Sequence, residues 1–261
     1  MSDGEAIGAT PGAVLVTGAG RRIGRAIALD LARAGWAVAV HYRGAADDAA
    51  EVVREVERGG GRAVALACDL ARETEVEALV PRAAAAIGPL TCLVNNASAF
   101  GRDDIGSATR ASWDAHMEVN LRAPLVLSQA FARQLPPERG GNIVNMLDQR
   151  VWKLTPHFLS YTVSKVGLWT LTRTLALALA PRIRVNGIGP GPTLPSTRQT
   201  EDQFARQWAA MPLGRGTTLD EICAAIRFLL AAPAMTGQML ALDGGEHLAW
   251  QLPARGFVAQ E

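Results

Sequence analysis

Along the chain, short runs of consecutive apolar residues alternate with longer stretches in which apolar positions recur every three or four residues. Residues 13–17, 36–42, 62–67, 90–95, 142–147, 183–186 and 239–242 are runs of strand length. Residues 23–34, 47–58, 73–87, 111–135, 161–180, 202–210 and 219–231 carry helical spacing. A strand that is apolar without alternation is buried on both faces, and strands separated by helices imply a parallel sheet covered on both sides. Right-handed crossovers then give a single-domain, Rossmann-type doubly wound α/β fold of about seven strands. No repeat or linker divides residues 13–245. Residues 1–12 read as a flexible leader ending at Pro11-Gly12, and residues 246–261 as a tail long enough to meet a neighbouring subunit. The one long irregular piece, residues 187–201, is rich in proline and glycine and is expected to leave the carboxyl edge of the sheet as a mobile substrate lid.

Composition narrows the classes. With 49% hydrophobic residues in 261, the chain has ample material for a core. Its 26 basic and 25 acidic residues nearly cancel, and no polybasic run occurs, so nucleic acid and anionic membrane are not expected as main partners. The most apolar long stretch, residues 168–183, is interrupted by Arg173 and Arg182. The first dozen residues lack the order of a signal peptide. Cys68, Cys92 and Cys223 are odd in number and far apart, and His41, His116, His157 and His247 have no ligand spacing, so neither a disulfide framework nor a metal site is expected. A reducing cytoplasm fits this cysteine usage.

Candidate chemistry lies at two places. Tyr161-x-x-x-Lys165 puts a phenol and an ammonium one turn apart on one helix face, where the cation favours the phenolate and suits the tyrosine to proton exchange near neutral pH. Asp148 precedes Tyr161 by thirteen positions. At the other end, Val16-Thr17-Gly18-Ala19-Gly20-Arg21-Arg22-Ile23-Gly24 is a strand, a glycine turn and a helix start, the arrangement that lets a backbone approach a pyrophosphate. The second strand ends in His41-Tyr42-Arg43 and lacks the acid that usually holds the ribose hydroxyls of NAD. With Arg21, Arg22 and Arg43 nearby, the pattern favours NADP(H), although Arg21 or Arg43 taken singly is equally compatible with a solvated surface arginine.

Thr17-Gly18-x-x-x-x-x-Gly24, Cys68-Asp69-Leu70, Asn95-Asn96-Ala97, Asn120, Tyr161-x-x-x-Lys165, Asn186, Pro190-Gly191-x-Thr193 and Leu242-Asp243-Gly244-Gly245 together resemble the short-chain dehydrogenase/reductase family over essentially all of residues 13–245. The resemblance implies that Asp69, with Leu70, meets the adenine and that Asn95 supports the strand beside the cofactor. It implies that Lys165 binds the nicotinamide ribose and that Asn120 holds a water in a proton relay. Thr193 and the backbone near Ile188 would contact the carboxamide, and family members usually form homotetramers, which would place Trp169 at an interface.

Two departures sharpen the picture. Arg22 stands where the family usually has glycine, and Asp148 where it usually has a serine that donates to a carbonyl. An ionised carboxylate cannot donate, and it opposes negative charge developing on a neighbouring oxygen. It suits reduction of a C=N bond, whose nitrogen gains a proton. Both departures resemble the pteridine reductases and dihydromonapterin reductases, as do Asn95-Asn96-Ala97-Ser98-x-Phe100 and Asn145-Met146-x-Asp148. That branch implies a pterin stacked between nicotinamide and Phe100, with Ser98 and Arg22 contacting cofactor phosphates and the pterin edge, and Asp148 and Tyr161 at the reacting atoms. Phe100 could equally be a packing aromatic, and Asp148 a cap of a turn. Trp152, Lys153, His157, Trp208 and Met211 are open between pocket lining and packing. The leading expectation is an NADPH-dependent reductase of a dihydropterin, dihydrofolate included. A carbonyl reductase of ketones, sugars or 3-oxoacyl thioesters is the alternative, and a non-catalytic nucleotide sensor the third.

Overall fold

Seven parallel strands form one sheet in the order β3-β2-β1-β4-β5-β6-β7. The computed structural model describes residues 11–196 and 199–249, so most of the expected leader and tail lies outside the described residues. The strands are β1 (Ala13–Val16), β2 (Ala37–Tyr42), β3 (Ala63–Ala67), β4 (Leu90–Asn95), β5 (Gly141–Met146), β6 (Ile183–Pro190) and β7 (Met239–Leu242). The helices are α1 (Arg22–Arg33), α2 (Ala46–Arg58), α3 (Glu73–Ile87), α4 (Arg110–Met117), α5 (Ala123–Gln134), α6 (Leu159–Leu179), α7 (Glu201–Ala209) and α8 (Leu219–Ala231).

The apolar runs become strands because both faces of the sheet are covered. Successive side chains point to opposite faces. Val14 and Val16 of β1 pack with Ile27, Leu31, Val52, Ile222 and Ile226 from α1, α2 and α8. Leu15 between them joins Leu79, Val80, Leu127 and Phe131 from α3 and α5. Thr109, Thr200 and Thr218 start α4, α7 and α8, each hydroxyl accepting from the backbone N–H three residues on and each paired with a reciprocal bond from that residue's side chain. Cys68, Cys92 and Cys223 are buried free thiols. No helix of the described residues is long and apolar enough to cross a membrane.

Two expectations need correction; the other elements begin and end within two residues of their expected bounds. The helix expected over 111–135 is broken by a π-helical segment, Glu118–Arg122, between α4 and α5. Pro124 explains it: proline has no N–H for the carbonyl of Asn120 four residues back, and its ring presses on that carbonyl, so the helix widens there. The irregular segment also begins later than expected. Residues 187–190 continue β6, because Gly187, Ile188, Gly189 and Pro190 pair with Met239, Leu240, Ala241 and Leu242. The glycines persist in that strand for want of space; a Cβ on Gly187 would lie 2.4 Å from Leu147 Cδ1.

Strand order reverses between β1 and β4, the position at which open parallel sheets form a crevice beyond their carboxyl ends. The chain leaving β1, β4, β5 and β6 delivers Thr17, Asn96, Leu147 and Gly191 to that edge.

Candidate active site

Beyond β1 the backbone is held by a dense set of short-range bonds. Thr17 Oγ1 accepts from the amides of Asn96 and Ala97, both at 2.9 Å, and Asn96 Nδ2 donates to Thr17 O at 2.8 Å. Gly18 turns the chain with φ 64°, and a Cβ on Gly24 would sit 2.2 Å from Gly18 O, so only glycine permits the close crossing of turn and helix. Arg22 holds a left-handed φ of 53° at the place where glycine would be unstrained. Such a conformation costs roughly 1–3 kcal/mol. Its guanidinium spans the cleft, donating to Pro195 O at 2.9 Å and Leu194 O at 3.4 Å.

His41, at the end of β2, turns its ring toward the glycine turn. Its ring is buried: Nδ1 accepts from Gly18 N–H at 2.9 Å and Nε2 donates to Cys68 O at 3.0 Å. Burial pushes its pKa down, which keeps this neutral tautomer. His41 therefore shapes the turn by tying the ends of β1, β2 and β3 together. Arg21 is ion-paired with Asp48, Arg43 is exposed, and Asp69 caps the following turn by accepting from Ala71 N–H at 3.1 Å. The glycine turn, the start of α1, and the cations Arg21, Arg22 and Arg43 fit a dinucleotide with a phosphorylated ribose.

Tyr161 and Lys165 lie near the start of α6, both buried. The phenolic hydroxyl donates to Asp148 Oδ2 at 2.8 Å. Asp148 Oδ1 accepts from the backbone N–H of Arg150 at 2.8 Å, and Arg150 Nη1 lies 3.3 Å from Oδ2. One oxygen of Asp148 thus caps the turn Gln149–Val151, and the other faces the phenol. Lys165 Nζ donates to Met146 O at 2.8 Å and stands 5.8 Å from the Tyr161 ring centroid. Burial pushes its pKa down to about 8, against the Asp148 carboxylate, which raises it.

Asn120 sits in the π segment with its side chain saturated. Oδ1 accepts from Ala99 N–H and Ser98 Oγ, and Nδ2 donates to Ala99 O and Ser164 Oγ. Both donors of the amide are therefore engaged, while the main-chain carbonyl of Asn120, four residues before Pro124, has no helical N–H there to accept from.

Phe100 is 41% exposed. It stacks on Phe158 with centroids 5.0 Å apart and meets Tyr161 edge-on at 4.8 Å. Phe158 holds φ 58° and carries the Arg150 guanidinium 4.9 Å above its ring. Behind them Ser160 Oγ bonds Asp103 and lies 2.7 Å from His116 Nδ1, while His116 Nε2 accepts from Gly101 N–H at 3.0 Å. This buried group fixes the Phe100 segment to the start of α6.

A cavity of about 240 Å³ brings together Arg22, Ile23, Asn96, Ser98, Phe100, Asp148, Tyr161, Lys165, Pro190, Gly191 and Thr193. Gly18, Gly20, Arg21, Gly24, His41, Tyr42, Arg43, Asp69, Leu70, Ala97 and Asn120 do not line it. Of these, the glycine turn and the ends of β2 and β3 extend the same sheet edge. Trp152, Lys153, His157, Trp208 and Met211 do not line it either. Trp152 leans on His247, and Trp208 Nε1 donates to Pro192 O at 2.8 Å. The lining residues that sequence reasoning missed include Gln149, Arg150, Gln199, Phe204, Gln207 and Glu246. Arg150 could have been found from its place two positions after Asp148; Glu246 carried no signal beyond following a Gly-Gly turn.

A parallel sheet with a glycine turn at its switch point and a Tyr–Lys helix beside it defines an oxidoreductase of the nucleotide-binding α/β class. The chain belongs to the short-chain dehydrogenase/reductase family: residues 18–247 match a family model described as enoyl-(acyl carrier protein) reductase. It is 32% identical over 242 residues to the 3-oxoacyl-[acyl-carrier-protein] reductase FabG of Staphylococcus epidermidis, covering 90% of this chain and 98% of that one. Among solved structures it is similar to FolM alternative dihydrofolate reductase 1 from Brucella canis complexed with NADP, with 47% identity, TM-score 0.91, and 95% of this chain and 98% of that chain covered. The Brucella suis counterpart, also in complex with NADP, gives 48% identity, TM-score 0.90, and coverage of 95% and 99%.

Proposed function

We propose that the protein is an NADPH-dependent reductase of a pterin-type substrate, converting a dihydropteridine to a tetrahydropteridine, with dihydrofolate in the same class. The observation that carries this reading is the 2.8 Å bond from the Tyr161 hydroxyl to Asp148, a carboxylate where a carbonyl reductase needs a donor. Similarity to two FolM dihydrofolate reductases at 47% and 48% identity supports it. The weaker similarity to 3-oxoacyl reductases favours the alternative of a carbonyl substrate.

When bound, NADPH supplies a hydride to a ring carbon of the C=N bond. The chain's own residues do the rest. Lys165, Asn96 and the Pro190–Thr193 segment line the place for the nicotinamide end, and the turn from Gly18 to Gly24 receives the phosphates. Phe100 offers a flat face to a flat substrate, worth about 0.5–1.5 kcal/mol beyond burial. Ser98 and Arg22 stand at the substrate's edge. Tyr161 gives its hydroxyl proton to the ring nitrogen, and Asp148, ionised until then, takes up a proton from solvent and passes it to the phenolate across the 2.8 Å contact. Asn120 contributes through its main-chain carbonyl. The active form is a homotetramer in this reading, which light scattering would test.

NADPH oxidation measured side by side on dihydrobiopterin, dihydromonapterin, dihydrofolate and a 3-oxoacyl thioester tests the proposal. Turnover of the dihydropterins over the thioester is expected; turnover of the thioester alone would overturn it.

A further inference from the structure

Beside Asp148, the cavity lining carries two further acceptors, Gln149 and Glu246, next to the cation Arg150. Glu246 opens the turn Glu246–Leu248 after β7, and the backbone there is fixed. Asp243, buried, accepts from Gly245 N–H at 3.0 Å and His247 N–H at 2.8 Å, and it also meets His247 Nδ1 at 2.7 Å. This turn packs against Gln149–Val151, so Glu246 lines the same cavity as Asp148, Gln149 and Arg150. No hydrogen bond ties its carboxylate to a described residue. Gln149 is 3% exposed, and its Oε1 has no hydrogen-bond partner among the described residues. A buried acceptor without a donor is costly, and such a group in a cleft awaits a ligand that donates.

We infer that Glu246, with Gln149 beside it, recognises the substrate by an edge carrying adjacent N–H groups, such as the amino-pyrimidine edge of a pterin. The inference rests on the pterin reading and names the part of the site that would select it. Carboxylate oxygens match two parallel N–H donors as they match a guanidinium, whereas a ketone or thioester has no N–H to offer Glu246. Glu246 is a positioning residue; it takes no part in proton transfer.

The charged groups facing Glu246 are Arg150 and Lys153, which favour its anion, and Asp148 and Asp243, which oppose it. Burial dominates and raises its pKa to about 7. Below that pH the carboxyl is neutral and one acceptor is lost.

The test is steady-state kinetics with a dihydropterin from pH 6 to 8 for the wild type, Glu246→Gln and Glu246→Asp, with NADPH affinity and circular dichroism as controls. In the wild type, KM should rise as pH falls below about 7 while kcat changes little. Glu246→Gln should raise KM about 10–100-fold at pH 8, the worth of a hydrogen bond to a charged group, and abolish the KM slope. Glu246→Asp should restore part of both. Unchanged KM and slope in Glu246→Gln overturn the role of Glu246 and leave the pterin reading standing. A wild type that neither binds nor turns over any dihydropterin overturns both. Should Glu246→Gln not fold, the wild-type profile still decides, since a flat KM across pH 7 overturns the inference.

Discussion

Lys165 donates from its buried ammonium to the main-chain carbonyl of Met146 across 2.8 Å, at the end of the strand that leads to Asp148. The bond fixes where the charge stands, and burial sets when it exists: the pKa is near 8, down from 10.5. Because kcat/KM reports ionisations of the free enzyme, it should fall as pH rises past about 8. The sign for stability is opposite. Between about 8 and 10.5 the unfolded chain holds a proton that the folded chain has lost, so this group makes unfolding free energy rise with pH. The stability of Lys165→Met minus that of the wild type should therefore shrink from pH 7.5 to 9.5. Denaturant titrations at both pH values check this, and a constant difference would contradict it.

Replacing Asp148 should separate pterin from carbonyl chemistry. Asp148→Ala is expected to lower kcat for a dihydropterin by about 10²–10⁴-fold, the range for one proton-transfer group. Asp148→Ser should lose the pterin activity and leave NADPH binding unchanged, since the bonds that hold the cofactor turn do not involve Asp148. Intact pterin turnover in Asp148→Ala would remove the residue from the mechanism.

His41 should matter to the cofactor without touching it. His41→Ala leaves Gly18 N–H and Cys68 O without partners, at a cost of about 1–3 kcal/mol for each buried group left unmet, and should weaken NADPH binding. The folded pKa is depressed below 6.5, so the wild-type advantage is full above that pH and shrinks as pH falls below it. Unfolding free energies of both proteins at pH 7.5 and 5.5 provide the measurement; an advantage that grows on acidification would refute the assignment.

Gly24→Ala should abolish tight NADPH binding. Its Cβ would meet Gly18 O at 2.2 Å and Asn96 Nδ2 at 2.5 Å, so either the turn or the Asn96 clamp must move. Overpacking of this kind costs about 1–3 kcal/mol. Fluorescence titration with NADPH and a thermal melt read the two effects separately.

Sequence periodicity revealed the sheet because both of its faces are apolar, and a strand buried on two sides needs no partner information to be recognised. It failed at β6, where Gly187 and Gly189 read as turn residues yet are required by Leu147 and Met239 packing against them. It failed at 118–122, although Pro124 signalled the break. The Tyr161, Lys165 and Asp148 group was legible because local spacing on one helix and one turn sets it. Gln149 and Glu246 were not: they converge from segments nearly a hundred residues apart, and nothing in either segment names the other. The sequence places His41 at the end of β2 but carries no signal for the direction of its ring, which bonds Gly18 N–H and Cys68 O.

Beneath the cleft, Asn95 Nδ2 donates to Asn145 Oδ1 at 2.8 Å, Asn145 Nδ2 to Thr172 Oγ1 at 2.9 Å, and Thr172 to Leu168 O at 2.8 Å. This rivet of amides locks α6 to the two central strands, so the phenol and ammonium cannot slide to suit a new substrate. Adaptation is left to the segments around 149–158, 191–196 and 243–249. Descendants of such a scaffold can change their diet by exchanging rim residues while Tyr161 and Lys165 beneath stay in register.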